Sequence, residues 1–493
     1  MAARLEKQSA SVNHLPDSPL SLGGPTVSQS TDPISPPRWL GVNLIRRRWI
    51  FPLAGMVATL LGGAAYAYSV FVTPLEDPVD GIGLAPADAT TTFGVALFIV
   101  SLSIFAGGVI VDRYGPRAVL TVGALFTVGG MLLSSRIESP IQFTLALGVL
   151  FGCGAGLTYT ACAVALAARW YPDAAKRGAA IGWSIAGFGA AGVIIGPLWT
   201  AGIESIGWRD TFFVTGMIYA VVYAVLLSLV RFPPATWAFT EERGWHPAPA
   251  AATTGTAPAP VFEIQPWDLH LGETLRNRYL YILGGIFMLG MFGGLLAIGQ
   301  LALYAKDHLG VSAAVAGMFV AAFALGNGSG RPLTGWISAR LGLRRTMSLV
   351  YLVLAVGLGV LAVVKLPAVA FPAAVLTGLA FGGSLALTPV MTAMLFGTSY
   401  LARNYGFVFV LGFGIGGLAG GIVGSRLVVG LDGNYTVPFV LAGFLALLAA
   451  VLAHLLLPAA GMERRHNERT KAALDAWLAS LTPAEPEAEI VGR

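Results

Sequence analysis

Acidic side chains are missing from the centres of the long apolar runs that make up most of this sequence. Asp and Glu account for 25 of its 493 residues, and all charged residues together amount to 11%. The runs also contain a single histidine, His454, in the last of them. Because proton relays inside a membrane normally depend on carboxylates or imidazoles, a drug and proton exchanger built around a buried carboxylate is disfavoured.

Cysteine is equally scarce. Cys153 and Cys162 lie in one apolar run and indicate neither a disulfide framework nor a metal site, so we expect them to be packing residues. The sequence shows no metal-ligand cluster, no nucleophile and base pair, and no basic and aromatic groove for nucleic acid. It therefore predicts no cofactor, no metal, no nucleic-acid partner and no enzymatic activity. A cleaved secretion signal is also absent from the polar first 45 residues.

Apolar residues and glycine dominate what is present. The chain is 56% hydrophobic, contains 63 glycines and has a mean hydropathy of +0.74, which is typical of a polytopic membrane protein. Twelve runs are long enough to cross a bilayer. They lie at about 50–74, 91–111, 118–135, 141–168, 178–202, 211–231, 279–304, 312–338, 346–366, 369–394, 404–429 and 436–458.

A polar interval divides these runs into two sets of six. It includes the Ala, Pro and Thr-rich stretch His246 to Pro260, which is typical of a linker between bundles. The sequence thus predicts an all-α membrane protein of twelve transmembrane helices in two six-helix bundles. The predicted parts are a disordered cytoplasmic tail at 1–45, bundles at 46–231 and 279–458, a cytoplasmic linker at 232–278, and a cytoplasmic tail at 459–493.

The positive residues are unevenly shared among the connections. Arg46, Arg47 and Arg48 precede the first run, and the connections assigned to the cytoplasm hold most of the Lys and Arg, whereas each outside connection holds one at most. The positive-inside rule then predicts that both termini are cytoplasmic, in a multi-pass protein of the cell (inner) membrane. We expect a monomer in the lipid bilayer.

One full charge lies deep inside an apolar run. Arg331 is nine residues from Arg340 at the helix end, which places it roughly 13 Å further in, towards the middle of a ~30 Å hydrocarbon layer. Such an arginine costs a few kcal/mol unless it faces a watery cavity or a partner. It is either a snorkelling or ion-paired structural residue or an anion-binding charge in a transport pathway.

A repeat connects the two halves. The segments Gly108 to Arg117 and Gly335 to Arg344 each end the second run of their half, and Gly, Arg, Gly and Arg recur in them at identical spacing. Ala339 stands in the second copy where the first has Asp112. Two halves of the same build are typical of a transporter whose site lies between them near the membrane midplane.

The first copy resembles the cytoplasmic loop signature of the major facilitator superfamily. Gly108, Asp112, Arg113, Gly115 and Arg117 fill the pattern. The resemblance implies that these residues form a conformational latch on the cytoplasmic side. The alternative is a short loop whose charges only set the topology.

More of the chain resembles the oxalate/formate antiporter and monocarboxylate transporter branch. The likeness runs from the Tyr66-Ala-Tyr68 stretch through Gly152 to Tyr159, and on to Asn327-Gly-Ser-Gly-Arg331-Pro and Asn404-Tyr405-Gly406. It implies that Arg331 is the substrate-binding arginine. With the other polar residues of the runs, the predicted substrate site is Arg331, Asn327, Tyr159, Tyr66, Gln300 and Thr388.

One departure from that branch bears on the substrate. The oxalate carriers have a lysine in the eleventh span, and Gly412 stands there in this chain. With one buried cation a dianion is poorly compensated, so a monoanion is favoured, and Gly412→Lys would be expected to improve dicarboxylate binding.

The predicted function is therefore secondary active transport of small organic carboxylates, chiefly monocarboxylates, by alternating access with proton symport or anion exchange. The alternative is a multidrug or neutral-solute carrier of the same fold. A sensor or membrane enzyme has no supporting feature.

Overall fold

The computed structural model describes residues 36–234, 237–240, 244–247, 268–420, 424–431 and 434–458. The predictions for the two tails at 1–35 and 459–493 lie outside the described residues. So does most of the Ala, Pro and Thr-rich stretch of the linker.

Twelve long helices occupy the twelve predicted apolar runs, which confirms the predicted fold class. They are α1 Ile50–Glu76, α2 86–114, α3 116–134, α4 Pro140–Trp170, α5 174–206, α6 208–229, α7 Arg278–His308, α8 Ala313–Leu341, α9 Leu343–Val363, α10 Pro367–Phe396, α11 Leu401–Leu418 and α12 Thr436–Leu456.

Length and hydropathy alone identify nine spanning helices among the described residues. Two of the nine, 91–134 and 176–229, are pairs of spans that continue across a bend. The helix α8 completes the twelve. It is less apolar because its sequence includes Asn327, Arg331 and Arg340.

Glycines with positive φ separate consecutive helices where the connection is a single residue. Gly115 has a φ of 78° and Gly342 a φ of 79°, and the two occupy equivalent positions in the sequence repeat. An added side chain would meet nothing within 4 Å at either glycine. The requirement is thus for the backbone conformation that glycine adopts at low cost, and both halves turn in the same way after their second helix.

The two halves meet along two helix pairs, α2 with α11 and α5 with α8. In the first pair, a Cβ added to Gly108 would lie 2.4 Å from the Ala402 carbonyl oxygen. In the second, one added to Gly189 would lie 2.8 Å from the Gly328 nitrogen. Backbones approach this closely only where small residues face each other. The halves are therefore in tight contact on both flanks of the space between them.

The first helix is irregular where it borders that space. Residues Gly63–Phe71 form a 3-10 helix within α1, and a Cβ added to Gly63 would lie 2.5 Å from the Phe188 carbonyl oxygen on α5. A stretch of 3-10 helix inside a longer helix often marks a functional position. Tyr66 lies on this stretch.

The segment from residue 36 to the start of α1 contains structure that its composition did not suggest. The disordered tail was predicted to reach residue 45, but Arg38–Trp39 and Val42–Asn43 pair as an antiparallel hairpin. The indole of Trp39 donates to the Ser228 hydroxyl at 3.1 Å, and Leu44 is fully buried. Apolar anchors among the polar residues explain the order.

The linker also contains structure that was not predicted. Trp237–Thr240 pairs with Gly244–Pro247, and the end of the linker packs on the connection between α10 and α11. There the Asp268 carboxylate accepts from the Ser399 hydroxyl, and Asn404 donates to the Leu269 carbonyl at 2.8 Å. Residues 268–277 therefore act as part of the second bundle.

Reporter fusions ending at Gly83 and at Gly342 are expected on opposite sides of the membrane. Gly83 lies between α1 and α2, and Gly342 lies between α8 and α9. Both turns are open to insertion because a Cβ added at either glycine would meet nothing within 4 Å. A fusion at Gly115 is the control and should match Gly342. The same side for Gly83 and Gly342 would contradict the predicted topology.

Candidate functional site

Arg331 is a buried guanidinium at the interface of the two halves. Only 1% of its surface is exposed. Its Nε and one terminal nitrogen donate to the Asn327 side-chain oxygen at 3.3 and 3.1 Å, and the other terminal nitrogen donates to the Ile185 carbonyl on α5. In the described chain no Asp or Glu forms a salt bridge with Arg331. Its positive charge is solvated by neutral groups alone.

Helix geometry brings Asn327 to the guanidinium. The two residues are four apart on α8 and therefore lie on the same face, one turn apart. Because its side-chain oxygen accepts two N–H groups, Asn327 fixes the orientation of the guanidinium plane. The predicted pairing of these two residues is present in the structure.

Three tyrosines surround this charge. The Tyr159 hydroxyl on α4 lies 3.3 Å from that of Tyr405 on α11, whereas the Tyr66 hydroxyl is buried without a hydrogen-bond partner in the part of the chain that the structure describes. The Phe188 ring contacts Tyr66 edge-on at 5.1 Å between centroids and lies 5.9 Å from the guanidinium carbon. A buried hydroxyl without a hydrogen-bond partner raises the free energy of the folded state. The Tyr66 hydroxyl is therefore suited to form a hydrogen bond with a ligand.

Two small cavities adjoin these residues. The first, here called the arginine cavity, has a volume of about 10 Å³. It is lined by Tyr66, Val100, Ile104, Tyr159, Phe188, Arg331, Leu385, Phe409 and Phe413. That volume holds about one water molecule, so the site is closed around Arg331.

The second, here called the apolar cavity, lies beside Asn327 and shares Tyr66 with the first. Its volume is about 30 Å³. It is lined by Tyr66, Gly189, Gly192, Ile298, Leu301, Val320, Phe323, Ala324 and Asn327. Apart from Tyr66 and Asn327, its side chains are apolar.

Two predicted site residues are not brought to these cavities. Gln300 is buried on α7 but lines neither cavity, whereas Ile298 and Leu301 of the same helix line the apolar one. The Thr388 hydroxyl donates to the Ser384 carbonyl of its own helix at 2.7 Å. Helical phase explains both outcomes, because a shift of one or two residues turns a side chain to another face.

Gly412 also faces away from the arginine cavity. The expectation that Gly412→Lys improves dicarboxylate binding is therefore wrong. A Cβ added there would lie 2.0 Å from the Phe287 Cδ1 and 2.8 Å from its Cβ. The whole Phe287 side chain would have to move, so Gly412→Lys is expected to disrupt packing between α7 and α11 and not to add a cation to the site.

The predicted site did not include four aromatic residues that the structure places near Arg331. Phe188, Phe409 and Phe413 line the arginine cavity, and Tyr405 contacts Tyr159. Phe188 comes from α5, and Tyr405, Phe409 and Phe413 recur every four residues along α11. That spacing puts the last three on one helix face. The Asn404-Tyr405-Gly406 motif was the available signal for Tyr405.

The predicted latch residues divide into two groups. Asp112 at the end of α2 lies 3.0 Å from the Arg403 Nε on α11 and 3.9 Å from Arg169 on α4, so it connects the two halves. Gly108 allows the close contact between α2 and α11, and Gly115 supplies the turn after α2.

The latch arginines of the first half stay within it. The Arg117 Nε donates to the Val230 carbonyl at 2.9 Å, which ties α3 to the end of α6. The Arg113 guanidinium carbon lies 5.3 Å from the centroid of the Tyr114 ring. Neither arginine contacts the second half through a hydrogen bond or ion pair seen in the described chain.

The comparisons with known proteins agree with this architecture. Residues 53–304 and 282–486 match the sequence profile of the Major Facilitator Superfamily. The chain therefore belongs to the major facilitator superfamily, whose members are membrane transporters and not enzymes. It is an integral, multi-pass membrane protein that acts on a small molecule.

Two relatives of stated function bear on the branch of the superfamily to which the chain is most similar. The chain is 29% identical over 428 residues to the oxalate:formate antiporter of Oxalobacter formigenes, with 85% of this chain and 93% of that protein covered. It is 24% identical over 435 residues to monocarboxylate transporter 11 of Homo sapiens, with 86% of this chain and 84% of that protein covered. These matches support the predicted branch.

The fold is similar to that of a solved transporter, the fucose:proton symporter of E. coli. The TM-score is 0.58 at 13% identity, and the match covers 82% of this chain and 97% of the other. At that identity the likeness concerns the fold alone.

Proposed function

We propose that this protein transports small monocarboxylates across the cell membrane by alternating access, with Arg331 as the charge that binds the carboxylate. The observation that carries the proposal is a guanidinium buried between two helical bundles without an acidic partner in the described chain. A buried charge of this kind is costly until it is compensated. An incoming carboxylate supplies that compensation.

The hydrogen bonds of Arg331 leave room for such a ligand. A guanidinium has five N–H donors, and Asn327 and Ile185 accept from Nε and from both terminal nitrogens. One N–H on each terminal nitrogen remains. Those two donors match the two oxygens of a carboxylate, and bonds between charged groups of this geometry are among the strongest in proteins. The unpartnered Tyr66 hydroxyl and the Tyr159 and Tyr405 pair offer further hydrogen bonds.

The charge count favours a monoanion. Among the described residues that line the arginine cavity, Arg331 is the single cation, and the others are aliphatic, aromatic or phenolic. A second carboxylate would be buried among these groups without a counter-charge, at a cost of several kcal/mol. We therefore propose monocarboxylates as the substrates, and not the dianion oxalate.

The arginine cavity must open for binding and release. At about 10 Å³ it is too small for a carboxylate, so one pair of interfacing helices has to separate on each side in turn. The ion pair of Asp112 with Arg403 holds α2 and α11 together at the end that the positive residues assign to the cytoplasm. We propose that this ion pair is the latch of the conformer that is closed to the cytoplasm.

Coupling is either to a proton or to a second anion. Among the described residues the arginine cavity is lined by no carboxylate and no histidine, and both modes are compatible with a tyrosine and arginine site. An imposed pH gradient accelerates uptake in the first mode, and preloaded internal anion accelerates it in the second.

Purified protein in liposomes tests the function directly. Labelled formate, acetate and butyrate are expected to be taken up, and an excess of unlabelled monocarboxylate should compete far better than oxalate or succinate. Thermal shift with the same compounds should rank them in the same order, because a ligand of the native state raises its stability. Preference for dicarboxylates would contradict the charge argument, and uptake of neutral solutes alone would contradict the proposal.

A further inference from the structure

The apolar cavity lies where the rest of a bound monocarboxylate would extend. Along α8, Asn327 is one turn from Arg331, and Ala324 and Val320 follow at the next two turns, away from the latch end. Tyr66 lines both the arginine cavity and the apolar one, and Asn327, which lines the apolar cavity, accepts hydrogen bonds from Arg331. A carboxylate on Arg331 would therefore leave its other end pointing to this second space.

The chemistry of the apolar cavity restricts what that end can be. Beyond Tyr66 and Asn327 its side chains are Ile298, Leu301, Val320, Phe323 and Ala324. None of these can accept or donate a hydrogen bond, so a hydroxyl or a second carboxylate placed among them would lose its water without replacement. Transfer of an alkyl group from water into this cavity would lower its free energy.

We infer that the apolar cavity is a subsite for the alkyl tail of an aliphatic monocarboxylate. The inference rests on the proposed function, and it adds that a short, unsubstituted fatty acid is preferred over formate. A cavity of about 30 Å³ has room for about two to three water-sized groups. Tails of two or three carbons therefore fit without displacement of the lining helices.

A chain-length series in proteoliposomes tests the subsite. The apparent affinity should rise about fourfold for each methylene from acetate to butyrate, and should level off or fall from hexanoate to octanoate. 4-Hydroxybutyrate should bind at least tenfold more weakly than butyrate, because its hydroxyl would lie in the apolar cavity. Equal affinity for formate, acetate and butyrate would overturn the inference and leave the proposed function standing, whereas failure to transport any monocarboxylate would overturn both.

Two variants of the lining sharpen the test. Ala324→Leu fills the cavity and should lower butyrate affinity by tenfold or more while formate uptake is kept, and retained formate uptake also shows that the variant folds. Ala321→Leu on the exposed face of α8 is the matched control and should leave both unchanged. Ile298→Ala enlarges the cavity and should move the optimum towards longer acids. If Ala324→Leu and Ile298→Ala leave the chain-length profile of the native protein unchanged, the tail lies elsewhere and the inference is wrong.

Discussion

Arg331→Lys is expected to weaken monocarboxylate binding roughly thirtyfold or more. Lysine keeps the positive charge but loses the planar pair of donors, and a hydrogen bond to a charged group contributes about 2 kcal/mol, which is a factor of roughly 30 in affinity. A lysine ammonium has one nitrogen, so it also cannot replace the separate guanidinium nitrogens that donate to Asn327 and Ile185. Uptake and thermal shift with butyrate measure the loss.

Controls separate a binding defect from a folding defect. Arg345→Lys changes the same residue type at the exposed start of α9, outside the repeated segment, and it should transport normally. Asn327→Ala should reduce affinity less than Arg331→Lys because it disturbs the orientation of the charge and not the charge itself. Undiminished uptake by a well-folded Arg331→Lys protein would refute the central role of Arg331.

Asp112→Asn is expected to shift the resting population towards the conformer that is open at the latch end. The Asp112 side chain is 13% exposed and holds Arg403 of the other half at 3.0 Å. Loss of one charged hydrogen bond at this mostly buried site destabilises the closed conformer by about 1 to 2 kcal/mol. The ratio of the open to the closed conformer then rises roughly 5-fold to 30-fold. Spin labels on the exposed ends of α2 and α11 should report a longer distance.

A second acid near the same end provides the control for this experiment. Glu273 accepts from the His270 backbone N–H three residues away in the same half, so Glu273→Gln should leave the distance between the halves unchanged. Arg403→Gln should reproduce Asp112→Asn, and the double variant should add little, since both changes break the same contact. An unchanged distance in Asp112→Asn would show that the ion pair does not hold this end closed.

The sequence by itself determined the membrane fold and its principal charge. In hydrocarbon every backbone polar group needs a hydrogen bond, and a run of about 20 apolar residues meets that need by itself as a helix. The apolar runs and the breaks between them therefore give the number and the positions of the helices. The repeat at Gly108 and Gly335 then indicates two similar halves. The depth of Arg331 in its run follows from the helical rise per residue. The position of Asn327 beside Arg331 follows from their spacing of four residues on one helix.

The tertiary structure alone decided which side chains meet. Asp112 and Arg403 are 291 positions apart, and the Tyr159 and Tyr405 hydroxyls are 246 apart, so neither contact has a local signal. The rotation of each helix about its axis excludes Gln300 and Thr388 from both cavities and turns Gly412 towards Phe287. Packing of whole bundles sets that rotation, because a shift of one residue along a helix moves a side chain through about 100°.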